Sequence, residues 1–323
     1  MRYVSYLSND IDYRGVLLNK YSLNKLGSNV PHMCLCMNMV SEDVKDILKS
    51  QGIQIINVDF LGILKNSGLS DAMVTHLYEK HFFGKFSMFL LEGEKLDRCI
   101  FLDSDFLIME NLDHLFDLEV TDVTMHMVPD TNLRFPDQIF FGENTFNSGL
   151  IVYRPNKKVF NDMLAVAREI ESDPGSLDKL ATDQEFFNYL AVTSKIRIRK
   201  LAYRYNVYPH IAASLLNNQI EESIAVIHFI SRPKPWNMLD ICLGRRSHEN
   251  ELAKTFYVKW LELYLEYVKR EHLTYMSPKQ LSEHSRCYSS SLSEDAVRNM
   301  RSLSHELDNE GLVDINPLGP ENQ

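Results

Sequence analysis

The chain has 323 residues, 45% hydrophobic and 24% charged, which is enough to bury a sizeable core and is typical of a globular protein. Its formal net charge of −10 excludes a broad nucleic-acid surface, so an anionic ligand has to be met by a few local cations or a metal ion. No apolar run approaches the ~18 residues that span a bilayer.

The predicted elements alternate from the start. Residues 3–7 (YVSYL) form a strand that ends at Ser8-Asn9-Asp10, a turn sequence. Residues 12–26 carry Val16, Leu17, Leu23 and Leu26 at a helical period. A second strand covers 33–37, and Ser41 caps a helix over 42–51 with Glu42 and Asp43 in its first turn. A third strand covers 53–58, a long helical stretch covers 76–97, and the apolar run 99–102 (CIFL) is a fourth strand.

Strands without strict alternation, separated by helices, predict an α/β fold with a mostly parallel sheet covered on both faces. Further strands are predicted at 146–153 and 224–230, and helices at 156–172, 182–192 and 250–271. The last helix carries Phe256, Trp260, Tyr264 and Tyr267 on one stripe, a docking face that closes the domain or serves a homodimer. From about 272 the composition turns polar, which predicts a mobile tail to 323 with one short helix near 293–308.

The five cysteines, Cys34, Cys36, Cys99, Cys242 and Cys287, lack any CxxC pair and read as reduced thiols rather than a disulfide framework or zinc site. The chain begins directly in a strand pattern with no hydrophobic leader and has no Asn-x-Ser/Thr acceptor, so a cytoplasmic protein is expected.

Ligands of such sheets bind beyond the carboxyl ends of the strands. There the fourth strand runs into Asp103-Ser104-Asp105. Two carboxylates one residue apart suit a hard divalent ion, manganese or magnesium, that keeps positions open for phosphate oxygens; a solvated turn is the alternative. His228, in the run VIHFI, is either a hydrogen-bonded core residue or a further ligand. Arg232-Pro-Lys-Pro-Trp236 fixes two cations between prolines, and Lys234 or Arg232 can neutralise a leaving diphosphate.

Asn147-Ser148-Gly149 interrupts a strand where a ligand or another backbone approaches closely. Asp183-Gln184 opens a helix behind the cap Thr182 and reads either as a helix N-terminal acid or as a polar pair aimed at sugar hydroxyls. Lys85, inside FFGKFSMFLL, is out of place as a solvated lysine, with snorkelling as the plain alternative.

Taken in order, Ser8-Asn9-Asp10 with Tyr13, Lys85, FLDSD followed by NLDHLFD, FNSGLIVY, Asp183-Gln184 with Asn188, and HFISRPKPW resemble glycosyltransferase family 8 over about residues 1–240, in its branch similar to glycogenin and galactinol synthase. The resemblance implies a GT-A fold over residues 1–271, a UDP-sugar donor, a manganese cofactor and retention of anomeric configuration. It implies Asp103, Asp105 and His228 as metal ligands, and Leu7, Ser8, Asn9 and Tyr13 as the uridine pocket. Lys85 and Lys234 match contacts to the donor phosphates and sugar, and Asn147, Asp183 and Gln184 line the transferred sugar. Ser104, Ser148 and Ser231 lie inside the same motifs and belong to the expected donor site.

Glucose is the first expected sugar and galactose the second, with a carbohydrate, polyol or protein hydroxyl as acceptor. Three departures stand out. Glycogenins have glycine where Ser231 stands. The position of their self-glucosylated tyrosine falls near Ala213, with no tyrosine between 209 and 256, and the tail lacks their aromatic, acidic carboxyl-terminal motif. A self-glucosylating glycogenin that uses another tyrosine, and a silent nucleotide-binding scaffold, are the rival readings.

Overall fold

Short apolar runs and capped helices build the first half of the molecule. In the computed structural model, which describes residues 1–94, 96–135, 138–172, 181–217, 223–231, 234–236 and 251–271, strand β1 (Arg2–Leu7) leads into helix α1 (Tyr13–Lys25). Then follow β2 (His32–Met37), α2 (Glu42–Ser50) and β3 (Ile53–Val58). Ser41 caps α2 by accepting from the Val44 amide, as its place before two acids predicts.

Helices α3 (Phe60–Lys65) and α4 (Asp71–Glu79) precede a 3-10 segment, His81–Glu94, and β4 (Cys99–Leu102). This corrects the single helix expected over 76–97. Phe83, Phe86 and Phe89 of the 3-10 segment are buried, and Gly84 passes so close to Tyr6 that a Cβ would lie 2.2 Å from its hydroxyl. Tertiary packing overrides helical propensity there.

The second half holds β5 (Phe106–Ile108), the long hairpin strands β6 (Thr124–Phe135) and β7 (Gln138–Tyr153), and helices α5 (Lys157–Glu171) and α6 (Asp183–Val192). It continues with β8 (Arg197–Lys200), α7 (Pro209–Asn217), β9 (Val226–His228) and α8 (Glu251–Glu271). Seven strands form one sheet in the order β3-β2-β1-β4-β7-β6-β8. Its first four strands are parallel; β7 runs antiparallel to both β4 and β6, and β8 is parallel to β6. β5 and β9 form a separate antiparallel pair.

Both faces of the sheet are covered. On β2, Cys34 and Cys36 point into a core shared with α1, α2, α7 and α8, while Met33, Leu35 and Met37 point into one shared with α3 to α6. The aromatic stripe of α8 is buried in the first of these cores, so it closes the molecule onto α1 and α7 and is no free face for a dimer. Among the described residues no helix is long and apolar enough to cross a membrane. The polar tail 272–323, its short helix, Arg232, Cys242 and Cys287 lie outside the described residues.

Candidate active site

The parallel neighbours β1 and β4 end at Leu7 and Leu102, so Ser8–Asp10 and Asp103–Asp105 leave the same edge of the sheet. The Asp103 turn is held from two sides. Its amide donates to the Gly149 carbonyl at 2.9 Å, continuing the β4–β7 ladder by one bond, and Asn19 of α1 donates to its carbonyl at 2.8 Å. Helix α1 presses on the turn at Gly15, where a Cβ would lie 2.0 Å from the Ser104 carbonyl oxygen, so only glycine allows this approach.

Beyond Asp105 the chain becomes β5, which pairs with β9 in the register Phe106 to His228. That pairing delivers the histidine. Its Nε2 lies 3.2 Å from Asp105 Oδ1 and 3.8 Å from Asp103 Oδ2, and the candidate ligand atoms of all three residues lie within 4.8 Å of one another. The ring is held edge-on against Phe106 at 4.7 Å between centroids, and a Cβ at Gly149 would lie only 2.5 Å from its Cε1. Three atoms of this type at this spacing fit a single divalent cation with a mixed oxygen and imidazole donor set.

A cation stands beside each carboxylate. Lys85, from the 3-10 segment and only 3% exposed, places Nζ 2.6 Å from Asp183 Oδ2, 3.0 Å from Asp103 Oδ1 and 3.2 Å from the Ser148 carbonyl oxygen. It therefore does not snorkel to solvent. Ser148 also donates its hydroxyl to Asp183, at 2.8 Å. Thr182 caps α6 by accepting from the Glu185 amide, and this sets Asp183 in the first turn, facing the sheet. On the opposite flank, Lys234 Nζ lies 2.5 Å from Asp105 Oδ2 and donates to the Phe229 carbonyl at 2.8 Å.

Charge and burial separate the two acids. Burial pushes Asp103 up to about 6, with the neighbouring Asp105 adding to the rise and Lys85 opposing it. Burial also works against ionised Asp105, but His228 and Lys234 outweigh it and hold its carboxyl well below the usual range. Burial alone would lower Lys85, yet Asp103 and Asp183 raise it, so it stays an ammonium.

A second polar group adjoins the first. Asn147 donates from Nδ2 to Gln184 Oε1 and to the Tyr208 hydroxyl, both at 2.9 Å. Gln184 Nε2 donates to Asp130 Oδ2 at 3.1 Å, and the Tyr208 hydroxyl donates to the other oxygen of Asp130. Asn206 completes the group against His228. Asp130 and Asn206 escaped the reading of the sequence, because a lone acid after Val-Pro and a lone Asn after Tyr are ordinary turn composition.

Of the residues expected to meet a nucleoside, Ser8 and Asn9 keep partial exposure while Leu7 and Tyr13 are closed off behind them. Asn9 folds its own turn by accepting from the Ile11 amide at 2.8 Å, and the neighbouring Asp10 accepts from the Ser41 amide at 2.8 Å. Ser104 contributes its backbone to the α1 contact, and Ser231 is exposed. Ala213, near which the glycogenin tyrosine is expected to fall, is buried in α7.

This edge of the sheet can be set beside known proteins. A family model described as Glycosyl transferase family 8 matches residues 6–240. Human glycogenin-1 is 30% identical over 242 residues, covering 73% of this chain and 62% of glycogenin-1, so the chain spans less than two thirds of that relative. Galactinol synthase 2 of Solanum lycopersicum is 23% identical over 296 residues, covering 81% of this chain and 79% of the synthase. Among solved structures, the galactosyltransferase LgtC in complex with donor and acceptor sugar analogs superposes with a TM-score of 0.54 at 16% identity, over 88% of this chain and all of LgtC. The match of the family model over most of the chain, on a sheet that ends in the Asp103–Asp105 turn, makes this chain a member of glycosyl transferase family 8 with a GT-A fold.

Proposed function

We propose that the protein is a retaining, metal-dependent hexosyltransferase that moves a sugar from a UDP-sugar to a hydroxyl acceptor, with glucose the first candidate sugar and galactose the second. One observation carries the reading: Asp103, Asp105 and His228 bring their ligand atoms within 4.8 Å of one another, and each carboxylate already faces an ammonium, Lys85 or Lys234. Two lysines against three carboxylates leave the site negative until a divalent cation joins them, and an acidic chain that must bind a diphosphate needs that added positive charge.

Asp103, Asp105 and His228 would hold a manganese or magnesium ion, which when bound supplies Lewis-acid stabilisation to the phosphate oxygens of the leaving group. Lys234 adds a fixed positive charge beside it, and Lys85 orients Asp183 at the sugar side. Ser8 and Asn9, backed by Leu7 and Tyr13, take the nucleoside, with Ser104 and Ser231 bordering the phosphates. Asn147, Ser148, Asp183 and Gln184 surround the transferred sugar, and their mutual hydrogen bonds hold them ready for its hydroxyls. The acceptor is a carbohydrate, polyol or protein hydroxyl.

Residues 1–271 form the catalytic domain in this reading. Cys34, Cys36 and Cys99 are buried free thiols, which supports a reducing, cytoplasmic setting.

UDP release from a panel of UDP-sugars, with manganese and with chelator, tests the proposal. Manganese-dependent release from one hexose donor is the expected result. Tight UDP binding without release from any donor, in the presence of varied hydroxyl acceptors, would replace transfer with a scaffold role.

A further inference from the structure

The polar groups behind His228 form an unbroken series in which each neighbour dictates the direction of the next bond. At one end stands the Asp130 carboxylate, which in its ionised form offers only acceptors. Gln184 must face it with Nε2, at 3.1 Å, and this turns Oε1 toward Asn147 Nδ2, at 2.9 Å. The Asn147 amide is fixed a second time and independently. The backbone N–H of Gly149 can only donate, and it donates to Asn147 Oδ1 at 2.8 Å.

With Oδ1 on that side, Asn206 has to present Nδ2 to it, at 2.6 Å, and its own Oδ1 then faces His228 Nδ1 at 2.7 Å. An amide oxygen only accepts, so the proton sits on Nδ1. When a cation replaces the proton that Nε2 otherwise shares with Asp105, the lone pair of the neutral ring is left on Nε2, the atom that faces Asp105 and Asp103. Asn147, Asn206 and His228 are all buried, so water cannot substitute for a mismatched partner.

We propose that Asn206 is a positioning residue that locks His228 in the tautomer able to give Nε2 to a divalent cation. The same series ties the cation side of the cleft to the Gln184–Asp130 side, where the sugar is proposed to lie. Asn206 acts through His228 and through Asn147. The inference rests on the metal-site reading given above, and metal-ligating histidines are commonly oriented by such a partner on their other nitrogen.

Two measurements test it. Histidine-15N spectra of the unmodified protein with magnesium bound, where Nε2 no longer faces bare carboxylates, read the tautomer directly. The proton is expected on Nδ1 of His228, and a proton on Nε2 would overturn the proposal. The second is manganese affinity, followed by the paramagnetic resonance of the free ion, in Asn206→Leu and Asn206→Asp.

The leucine variant, which offers His228 no acceptor, is expected to lose about ten- to a hundredfold in manganese affinity, the usual scale for a lost orienting partner. The aspartate variant keeps an acceptor toward Nδ1 but sets oxygen against Asn147 Oδ1. It is expected to melt at lower temperature yet hold manganese within about fivefold of the unmodified protein. A merely structural role predicts instead that affinity follows stability in both variants, and that result would overturn the proposal, as would unchanged affinity in Asn206→Leu. Should the leucine variant fail to fold, the ring spectrum decides alone. Absence of manganese binding by the unmodified protein would strike the metal-site reading itself, which separates that failure from a failure of the relay.

Discussion

Lys85 Nζ and Asp183 Oδ2 lie 2.6 Å apart, joining the 3-10 segment before β4 to the first turn of a helix far along the chain. Asp103 is the second carboxylate on the same ammonium, at 3.0 Å. A buried cation shared by two acids is stable only while all three charges are present. Lys85→Met leaves Asp103 and Asp183 facing each other without a counter-charge, and breaking a buried pair in this way costs about 3–5 kcal/mol. We expect that loss in urea denaturation, together with loss of transfer. An unchanged midpoint would show that the acids simply take up protons.

The proposed cation site makes a sharper demand on Asp105. Its two oxygens face His228 and Lys234, so the Asp105→Asn variant removes one ligand charge and one anchor of Lys234. Manganese-dependent UDP release should fall by roughly a hundredfold or more, the scale of losing one preorganised electrostatic group. The circular dichroism spectrum should be retained. Activity near that of the unmodified protein would remove Asp105 from the proposed ligand set.

Gly149 probes the room given to the histidine. An alanine methyl there would lie 2.5 Å from His228 Cε1 and 3.0 Å from Asn147 Oδ1, so the ring has to move. The stability cost of overpacking is about 1–3 kcal/mol. Manganese affinity should fall about tenfold, because the displaced ring no longer directs Nε2 at the acids. A titration with equal affinity would mean that His228 shifts without leaving the site.

His32 sets a pH dependence away from the active site. It is fully buried; Ser5 donates its hydroxyl to the Leu102 carbonyl at 3.0 Å and lies 3.0 Å from His32 Nε2, so the ring donates there in its neutral form. Burial, and then the charge of Lys20, push the ring down to about 3 from an ordinary 6.5. Between those values the unfolded chain binds the proton and the folded chain does not. Stability from this group is therefore whole above about 6.5 and is lost as pH falls toward 3. In urea denaturation at pH 7 and pH 4.5, His32→Leu should lose about 2–3 kcal/mol less than the unmodified protein over that step. Equal losses would show that His32 titrates normally in the folded state.

How much of the site is legible along the chain depends on how local its causes are. The strand CIFL, the acids that follow it and the caps Ser41 and Thr182 can be read directly, because burial pattern and cap chemistry act within a few residues. The 3-10 segment could not be read as such, since its conformation answers to Tyr6 and to the aromatic core around it. The exposed, charged β8 gives no strand pattern, and its place is decided by pairing with β6.

The sequence by itself determined strands β1 to β4 and the second part of β7, the acid pair at the end of β4 and the family motifs in their order. Only the tertiary structure decided that β5 pairs with β9 so that His228 meets Asp105, that Lys85 serves two carboxylates, and that Asp130 and Asn206 join the site. The reason is physical. Apolar periodicity and caps report what a residue does with its near neighbours, whereas a hydrogen bond or ion pair between distant segments is selected by how the whole core packs.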